Sequence, residues 1–258
     1  MLARHGTILF CMALQPKYLA NRVVLITGGA KRLGRAAALS FSAAGATVAI
    51  TYLRSKNEAE ETLQKIGHIG GKGIAVRCDV KDLSSVRKAV GTVVRRLGGI
   101  DVLINNAGTY ETVAFDELEV EQWDEIFATN VRGPFLVSKE ALPHLRARRG
   151  RIVNLGSLGG LRAWATHAHY CSSKAALHML TKAMAKALAP EVAVNCVAPG
   201  MIDLGEKSAA EFMRKMAKQT PMRRNGRAED IAAAILFFAS APHFITGQIL
   251  TVDGGLGL

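Results

Sequence analysis

The chain of 258 residues is 49% hydrophobic and 21% charged, a composition that excludes a disordered chain and is typical of a globular protein. No linker, repeat or low-complexity tract divides it, so we expect a loose N-terminal extension over residues 1–20 and a single domain over residues 21–258. The net charge of +12 is spread over small basic clusters without a nucleic-acid recognition motif, so nucleic acid is not an expected partner.

The N-terminal stretch MLARHGTILFCMAL weakly resembles a secretion signal, because an arginine precedes a short apolar run. No A-x-A-like cleavage site follows and Met12 is an alternative start, so the sequence favours a cytoplasmic protein with a loose tail. Four dispersed cysteines without C-x-x-C pairing fit a reducing cytosol. No run reaches the ~18 apolar residues of a membrane span. His167 and His169 lie in a predicted loop without nearby acidic or thiol partners, so no metal is expected.

Seven short apolar runs, rich in β-branched residues, alternate with helix-compatible stretches along the rest of the chain. The runs span residues 23–27, 47–52, 73–78, 101–106, 151–155, 192–198 and 249–253. Most are continuously apolar, as expected for strands that are covered on both faces of a sheet. The alternation predicts an α/β protein with a doubly wound, seven-stranded parallel sheet and helices on both faces. Ligands of such a sheet bind beyond the carboxyl ends of the strands.

The first strand is followed by TGGAKRLGRAAA, a turn of the kind that holds the phosphates of a dinucleotide. Gly28 permits the tight turn, and Gly34 lets the following helix pack closely on the sheet. The N-terminus of that helix offers free N–H groups to a pyrophosphate. Such turns usually carry a third glycine, whereas this chain has Arg32 in the middle position. We assign Lys31 and Leu33 to the same cofactor site.

The second strand ends in TYLRS, with no acidic residue to hold a ribose 2′-hydroxyl. We therefore assign Tyr52, Leu53, Arg54 and Ser55 to the adenosine end of the cofactor. Arg32 and Arg54 both favour a 2′-phosphate, which an acidic residue would repel, so we expect NADPH rather than NADH. The alternative is that both are ordinary surface arginines.

Tyr170 and Lys174 are four residues apart on a predicted helix and therefore share one face. Lowering the tyrosine pKa from about 10 to about 7 requires roughly 4 kcal/mol. A lysine cation about 4 Å away supplies energy of that order at an effective dielectric near 20. Most Y-x-x-x-K quartets are simply helix surface, but Ser157 follows a strand end and can bond a carbonyl oxygen. Asn130 is a candidate for a proton path through water, or alternatively a helix-breaking cap.

In order and spacing, the motifs TGGAKRLG, CDV, NNAG, APG and ITGQILTVDGG, with the set Asn130, Ser157, Tyr170 and Lys174, resemble the short-chain dehydrogenase/reductase family. The resemblance starts near residue 22, runs to the C-terminus and implies a Rossmann fold with a nicotinamide cofactor. It implies that Tyr170 donates or accepts the proton, while Lys174 holds the ribose and lowers the pKa of the tyrosine. It further implies that Ser157 orients the substrate and that Asn130 supports the relay.

The family resemblance also implies further contacts and an assembly. The implied cofactor contacts are Asp79 and Val80 at the adenine, Asn106, Ala107 and Gly108 at the adenine ribose, and Pro199, Gly200 and Ile202 after the sixth strand. Members of the family are most often tetramers, so a homotetramer is expected.

Two branches of the family are similar to this chain. The A-K-R-L-G turn with Y-x-R-S resembles pteridine reductases, which use NADPH but usually carry aspartate where Ser157 stands. The C-terminal half resembles 3-oxoacyl-carrier-protein reductases, but Leu136 replaces a carrier-docking arginine, and Leu204 replaces a threonine near the nicotinamide carboxamide.

We predict an NADPH-dependent reductase of a ketone or aldehyde, with a small carbonyl compound as its partner. Pteridine reduction is the alternative reaction, and a non-catalytic NADPH-sensing protein is the alternative of another class. The substrate itself is not specified. The segment 203–221, which is rich in Met and Phe, is predicted to set specificity as an apolar lid, or else to be packed helix.

Overall fold

Residues 17–258 are described by a computed structural model, whose framework is one seven-stranded parallel sheet. The strands are β1 (Val23–Ile26), β2 (Thr47–Tyr52), β3 (Lys72–Arg77), β4 (Val102–Asn105), β5 (Arg151–Leu155), β6 (Ala193–Pro199) and β7 (Ile249–Val252). Their order is β3-β2-β1-β4-β5-β6-β7, and every neighbouring pair is parallel. The predicted Rossmann fold is confirmed, and every predicted strand is present with ends shifted by at most one or two residues.

Eight α-helices connect or follow the strands within residues 17–258. They are α1 (Arg32–Ala43), α2 (Lys56–His68), α3 (Leu83–Leu97), α4 (Val120–Phe127), α5 (Gly133–Ala147), α6 (Ala168–Leu188), α7 (Ala210–Gln219) and α8 (Ala228–Ser240). The predicted cap at Asp82 is present, since its carboxylate accepts from the Ser84 backbone N–H at 2.9 Å. None of these helices is long and apolar enough to cross a membrane.

The apolar strands supply two cores, one on each face of the sheet. Along β1, Val24 and Ile26 face a cluster that includes Phe41 of α1, whereas Val23 and Leu25 face the opposite cluster. Successive strand residues point to opposite faces. A strand covered on both sides is therefore apolar at every position, which is why continuous apolar runs predicted the strands correctly.

One residue that precedes the predicted start of the domain at residue 21 packs against the fold. Leu19 is 6% exposed and packs into the core, and its backbone N–H donates to the Ala44 carbonyl at 3.0 Å. Leu19 is thus packed against the end of α1, whereas Lys17, Tyr18 and Ala20 are exposed, and the division at residue 21 stays a prediction. The rest of that predicted extension, including Met12, lies outside the described residues.

The sheet order places a ligand site between β1 and β4. The chain moves outward from β1 to β3 and then crosses back to β4 on the other side of β1. The loops after β1 and β4 therefore leave the sheet in diverging directions, and a crevice opens at the carboxyl ends of the two strands.

Candidate active site

A cleft of about 800 Å³ lies along the carboxyl edge of the sheet. All the residues that the sequence assigned to the cofactor line it: Gly28, Lys31, Arg32, Leu33, Gly34, Tyr52, Leu53, Arg54, Ser55, Asp79, Val80, Asn106, Ala107, Gly108, Tyr170, Lys174, Pro199, Gly200 and Ile202. Ser157 also lines it, whereas Asn130 lies buried behind the wall. Residues from six strand ends therefore meet in one space.

The turn after β1 is built for close approach of a ligand. Gly28 adopts φ +62°, and the Asn106 side-chain amide donates to the carbonyls of Thr27 and Gly28, both at 2.9 Å. A Cβ on Gly34 would lie 2.6 Å from Asn106 Nδ2, a separation that packed atoms do not tolerate. Asn106 thus ties the β4 loop to the turn, and the turn needs glycine at both positions.

Two arginines border the cleft at the ends of β1 and β2. Arg32, in the middle position of the turn, adopts a left-handed backbone with φ +51°. Its guanidinium forms an ion pair with Glu206, in the loop before α7. Arg54 is exposed and borders the same cleft. The sequence did not indicate the pairing of Arg32, because Glu206 lies 174 residues further along the chain.

The loop after β3 forms another part of the wall. Asp79 Oδ1 accepts from the Lys81 backbone N–H at 2.9 Å, and the Asp79 N–H donates to Ser85 Oγ at 2.9 Å. The Lys81 ammonium bonds both carboxylate oxygens of Glu125, at 2.8 and 2.9 Å. Lys81 and Glu125 line the cleft but were not singled out from the sequence.

Asn130 lies in a π-helical turn, Ala128–Arg132, between α4 and α5. Its amide accepts from the Thr109 N–H at 2.9 Å and donates to the Thr109 carbonyl at 3.0 Å and to Ser173 Oγ at 3.1 Å. A buried amide with these partners clamps the loop after β4 against α6. The interpretation as a helix cap was wrong, because the chain continues into α5; the role in a proton path stays a prediction.

The Lys174 ammonium lies beneath the cleft. It donates to the Leu155 carbonyl at 2.8 Å and lies 5.7 Å from the ring centroid of Tyr170. Burial lowers the pKa of Lys174 to about 8, an effect that the nearby Cys196 thiol partly opposes. The lysine is therefore mostly a cation at neutral pH.

Tyr170 is held protonated at neutral pH. Burial raises its pKa to about 12, and a hydrogen bond from Ser157 only partly opposes this rise. The expectation that Lys174 lowers this pKa to about 7 was wrong for this geometry, because burial outweighs all other effects and the ammonium bonds a backbone carbonyl. A protonated phenol suits a proton donor.

Ser157 opens the short helical turn Leu158–Gly160, and its Oγ accepts from the Gly159 N–H at 3.0 Å. The backbone N–H of Ser157 donates to His178 Nε2 over a long 3.4 Å. The imidazole of His178 occupies the space between two glycines, since a Cβ on either Gly156 or Gly160 would lie within 2.8 Å of its ring atoms. Sequence reasoning missed His178, because only the packing of α6 under this loop reveals it.

Burial lowers the pKa of His178 to about 4, and the charge of the nearby Lys174 adds to the effect. The imidazole is therefore neutral at physiological pH. A neutral ring leaves Nε2 able to accept the N–H of Ser157 and supports the loop without adding charge to the cleft.

Aromatic residues that the sequence did not single out surround Tyr170. Tyr110, after β4, and Trp164, before α6, both line the cleft. His167 Nε2 lies 2.5 Å from the Tyr110 hydroxyl. His169 does not lie in a loop as expected: it is fully buried in α6, 3.9 Å from Glu111.

The sheet order and the glycine turn at its switch point define a dinucleotide-binding protein of the Rossmann class. Comparison with known proteins narrows the class. A family model described as enoyl-(acyl carrier protein) reductase matches residues 28–257. The chain belongs to the short-chain dehydrogenase/reductase family and is therefore an oxidoreductase of a family that uses a nicotinamide cofactor.

Relatives match over nearly their whole length. The 3-oxoacyl-[acyl-carrier-protein] reductase of Staphylococcus aureus is 36% identical over 241 residues, which is 92% of this chain and 98% of that protein. A short-chain dehydrogenase/reductase from Serratia marcescens is 35% identical, with a TM-score of 0.88 over 93% of this chain and 99% of that one. A dehydrogenase/reductase from Sinorhizobium meliloti is 34% identical, with a TM-score of 0.88 over 96% and 100% of the two chains.

Proposed function

We propose that this protein is an NADPH-dependent reductase of a ketone or aldehyde. The observation that carries the proposal is the half-buried Tyr170 phenol, which stays protonated at neutral pH and lines the cleft together with Ser157. A proton donor beside a hydroxyl can bond the two lone pairs of one carbonyl oxygen.

The residues of the cleft fit a dinucleotide. The turn at Gly28 and Gly34 excludes side chains where a pyrophosphate would approach, and α1 directs its free N–H groups there. When bound, the cofactor supplies a hydride to the carbonyl carbon. Ser157 donates to the carbonyl oxygen and orients it, and Tyr170 donates the proton that this oxygen takes up. The Lys174 cation would hold the cofactor ribose.

The proposal names carbonyl reduction although the family model is described as an enoyl reductase. The named relatives from Staphylococcus are 3-oxoacyl-carrier-protein reductases, which agrees with a carbonyl substrate. Pteridine reduction has weaker support, because Ser157 offers a hydroxyl rather than a carboxylic acid to a ring nitrogen.

NADPH is proposed over NADH because β2 ends without a carboxylate and Arg54 borders the cleft. Charge-assisted hydrogen bonds contribute about 1.5–3 kcal/mol, or roughly 10- to 150-fold in affinity. Arg54→Asp should weaken NADPH binding by at least about tenfold while leaving NADH binding unchanged or stronger. Fluorescence titration of both cofactors measures this ratio.

A matched control for cofactor choice is Arg96→Asp, which makes the same charge change at an exposed position outside the cleft. It should leave the NADPH to NADH ratio unchanged. An Arg54→Asp protein with the wild-type ratio would remove the basis for the NADPH assignment.

The reaction is tested by following NADPH absorbance with a panel of ketones, aldehydes and α,β-unsaturated thioesters. Wild-type protein should consume NADPH with carbonyl compounds, and Tyr170→Phe should bind NADPH normally but lose at least about 100-fold in kcat, the usual contribution of a general acid. Tight NADPH binding without turnover of any carbonyl would favour the non-catalytic sensing role. The homotetramer and the cytoplasmic location stay predictions; light scattering tests the tetramer.

A further inference from the structure

Three aromatic rings meet at the substrate side of the cleft. The Trp164 ring lies nearly parallel to that of Tyr170, with 13° between the planes and 6.4 Å between the centroids. The Tyr110 ring stands edge-on to Tyr170, at 86° and 5.0 Å. Tyr170 is thus flanked by two aromatic rings, and Tyr110 lines the cleft with 56% of its surface exposed.

The Tyr110 ring is held in place from behind. Its hydroxyl lies 2.5 Å from His167 Nε2, and its ring stacks on the imidazole with centroids 4.9 Å apart. His167 is 8% exposed and is fixed in turn by Thr112 at Nε2 and Thr166 at Nδ1, both at 3.0 Å. A ring fixed at both its face and its hydroxyl forms a rigid platform, so little side-chain entropy is lost when a ligand packs on it.

The segment before and within α7 contributes apolar side chains to the cleft, together with Asp203 and Glu206. Leu204, Phe212 and Met213, from the segment before and within α7, line the same cleft. Phe212 is 50% exposed and Leu204 is 38% exposed. Large exposed apolar side chains gathered around one concave space mark a binding site for an apolar group. The apolar-lid alternative for segment 203–221 is therefore favoured over packed helix.

We propose that the substrate is a ketone carried on a flat, apolar ring system, an aryl or fused-ring ketone, which packs against Tyr110 and Trp164 while its oxygen faces Tyr170. The inference rests on the proposed carbonyl reduction and names its substrate class. A flat ring gains offset or edge-to-face contact with both side chains, which a linear acyl chain or a puckered ring does not. Leu136 stands in the place of a carrier-docking arginine, so this position offers no charge to a carrier protein, and it is also buried.

The test compares three methyl ketones that differ in the group carried on the carbonyl: acetophenone, cyclohexyl methyl ketone and the linear acetoacetyl thioester of N-acetylcysteamine. Wild-type protein should show the highest kcat/KM with acetophenone. Trp164→Leu should lower kcat/KM for acetophenone by at least about fivefold, within the range of an aromatic pair, and change the other two by less than about twofold. The matched control is Phe244→Leu, which removes a fully exposed ring outside the cleft and should change none of the three.

A binding readout separates this inference from catalysis. The chain has two tryptophans, and Trp123 lies outside the cleft, stacked on Phe127 at 5.0 Å. In a Trp123→Phe background, acetophenone added with NADP⁺ should quench the fluorescence of Trp164, and cyclohexyl methyl ketone should quench it far less.

Each outcome decides between the two proposals. Turnover that favours the linear thioester, or an equal loss for all three ketones in Trp164→Leu, overturns the aryl-ketone inference and leaves carbonyl reduction standing. Quenching of Trp164 by acetophenone without turnover supports the aryl ligand and overturns the proposed reaction. If the protein shows no turnover of any ketone and no quenching of Trp164, both proposals are overturned.

Discussion

Replacing Lys174 with methionine removes a buried cation from the floor of the cleft while keeping an apolar stem of similar length. Lys174 is 7% exposed, its ammonium donates to the Leu155 carbonyl, and its pKa falls from 10.5 to about 8 on burial. Lys174→Met should therefore change the free energy of unfolding by an amount that depends on pH, separately from any loss of activity.

The magnitude follows from the pKa of the lysine in the folded and unfolded chains. The fall of the pKa from 10.5 to about 8 corresponds to about 3 kcal/mol. Because the pKa is lowered on folding, the unfolded chain binds more protons between pH 8 and 10.5. The destabilisation by Lys174 is thus fully present below about pH 8 and fades as the pH rises to 10.5. Between pH 7 and 9.5 the wild type should gain about 2 kcal/mol relative to Lys174→Met.

The assay is urea denaturation of both proteins without cofactor at pH 7, 8.5 and 9.5. The loss of the bond to Leu155 leaves a carbonyl unpaired and costs about 1–3 kcal/mol at every pH, so only the pH-dependent part of the difference is diagnostic. Lys186→Met, an exposed lysine on the same helix, is the matched control and should differ from wild type by an amount that does not vary with pH.

A difference between wild type and Lys174→Met that stays constant from pH 7 to 9.5 would refute this reasoning. It would mean that the ammonium is as well solvated or paired in the folded protein as in the unfolded chain. The low pKa of Lys174 would then be discarded, and with it the expectation that its charge declines above pH 8.

Three further predictions address the neighbouring loops and the phenol. Gly156→Ala places a Cβ within 2.8 Å of the His178 ring and should lower the free energy of unfolding by about 1–3 kcal/mol, as overpacking does, with partial recovery in the double variant with His178→Ala. Asn130→Ala leaves the Thr109 backbone unpaired and should speed hydrogen exchange at the Thr109 amide; unchanged exchange would exclude the clamp. Alcohol oxidation should rise about tenfold per pH unit from pH 7 to 9, because Tyr170 must first lose a proton whose pKa is about 12; a flat profile would contradict this.

The sequence was sufficient for the fold because the relevant signal is local. Residues 23–26 are apolar at every position, which is typical of a strand that is buried on both faces of a sheet. Likewise, Gly28 and Gly34 could be interpreted from their spacing, since the turn and the helix that need them are contiguous in the chain.

The same local logic located the cleft. Parallel strands end at one edge of a sheet, so residues that follow strands are brought together whatever the details of packing. Ser157, Tyr170 and Lys174 were found in this way, from strand ends and from helical spacing, and all of them line the cleft.

The tertiary structure alone decided two properties of the site: the contacts between segments that are distant in the chain, and the exclusion of water from the Tyr170 phenol. The approach of Tyr110, Trp164 and His167 to one another depends on how the loops after β4 and β5 pack. The pKa of Tyr170 rises rather than falls because desolvation depends on how completely neighbouring segments cover the phenol. A sequence pattern records which residues are apolar and how they are spaced, but solvent exclusion is a property of the assembled cleft, and it sets the chemistry at this site.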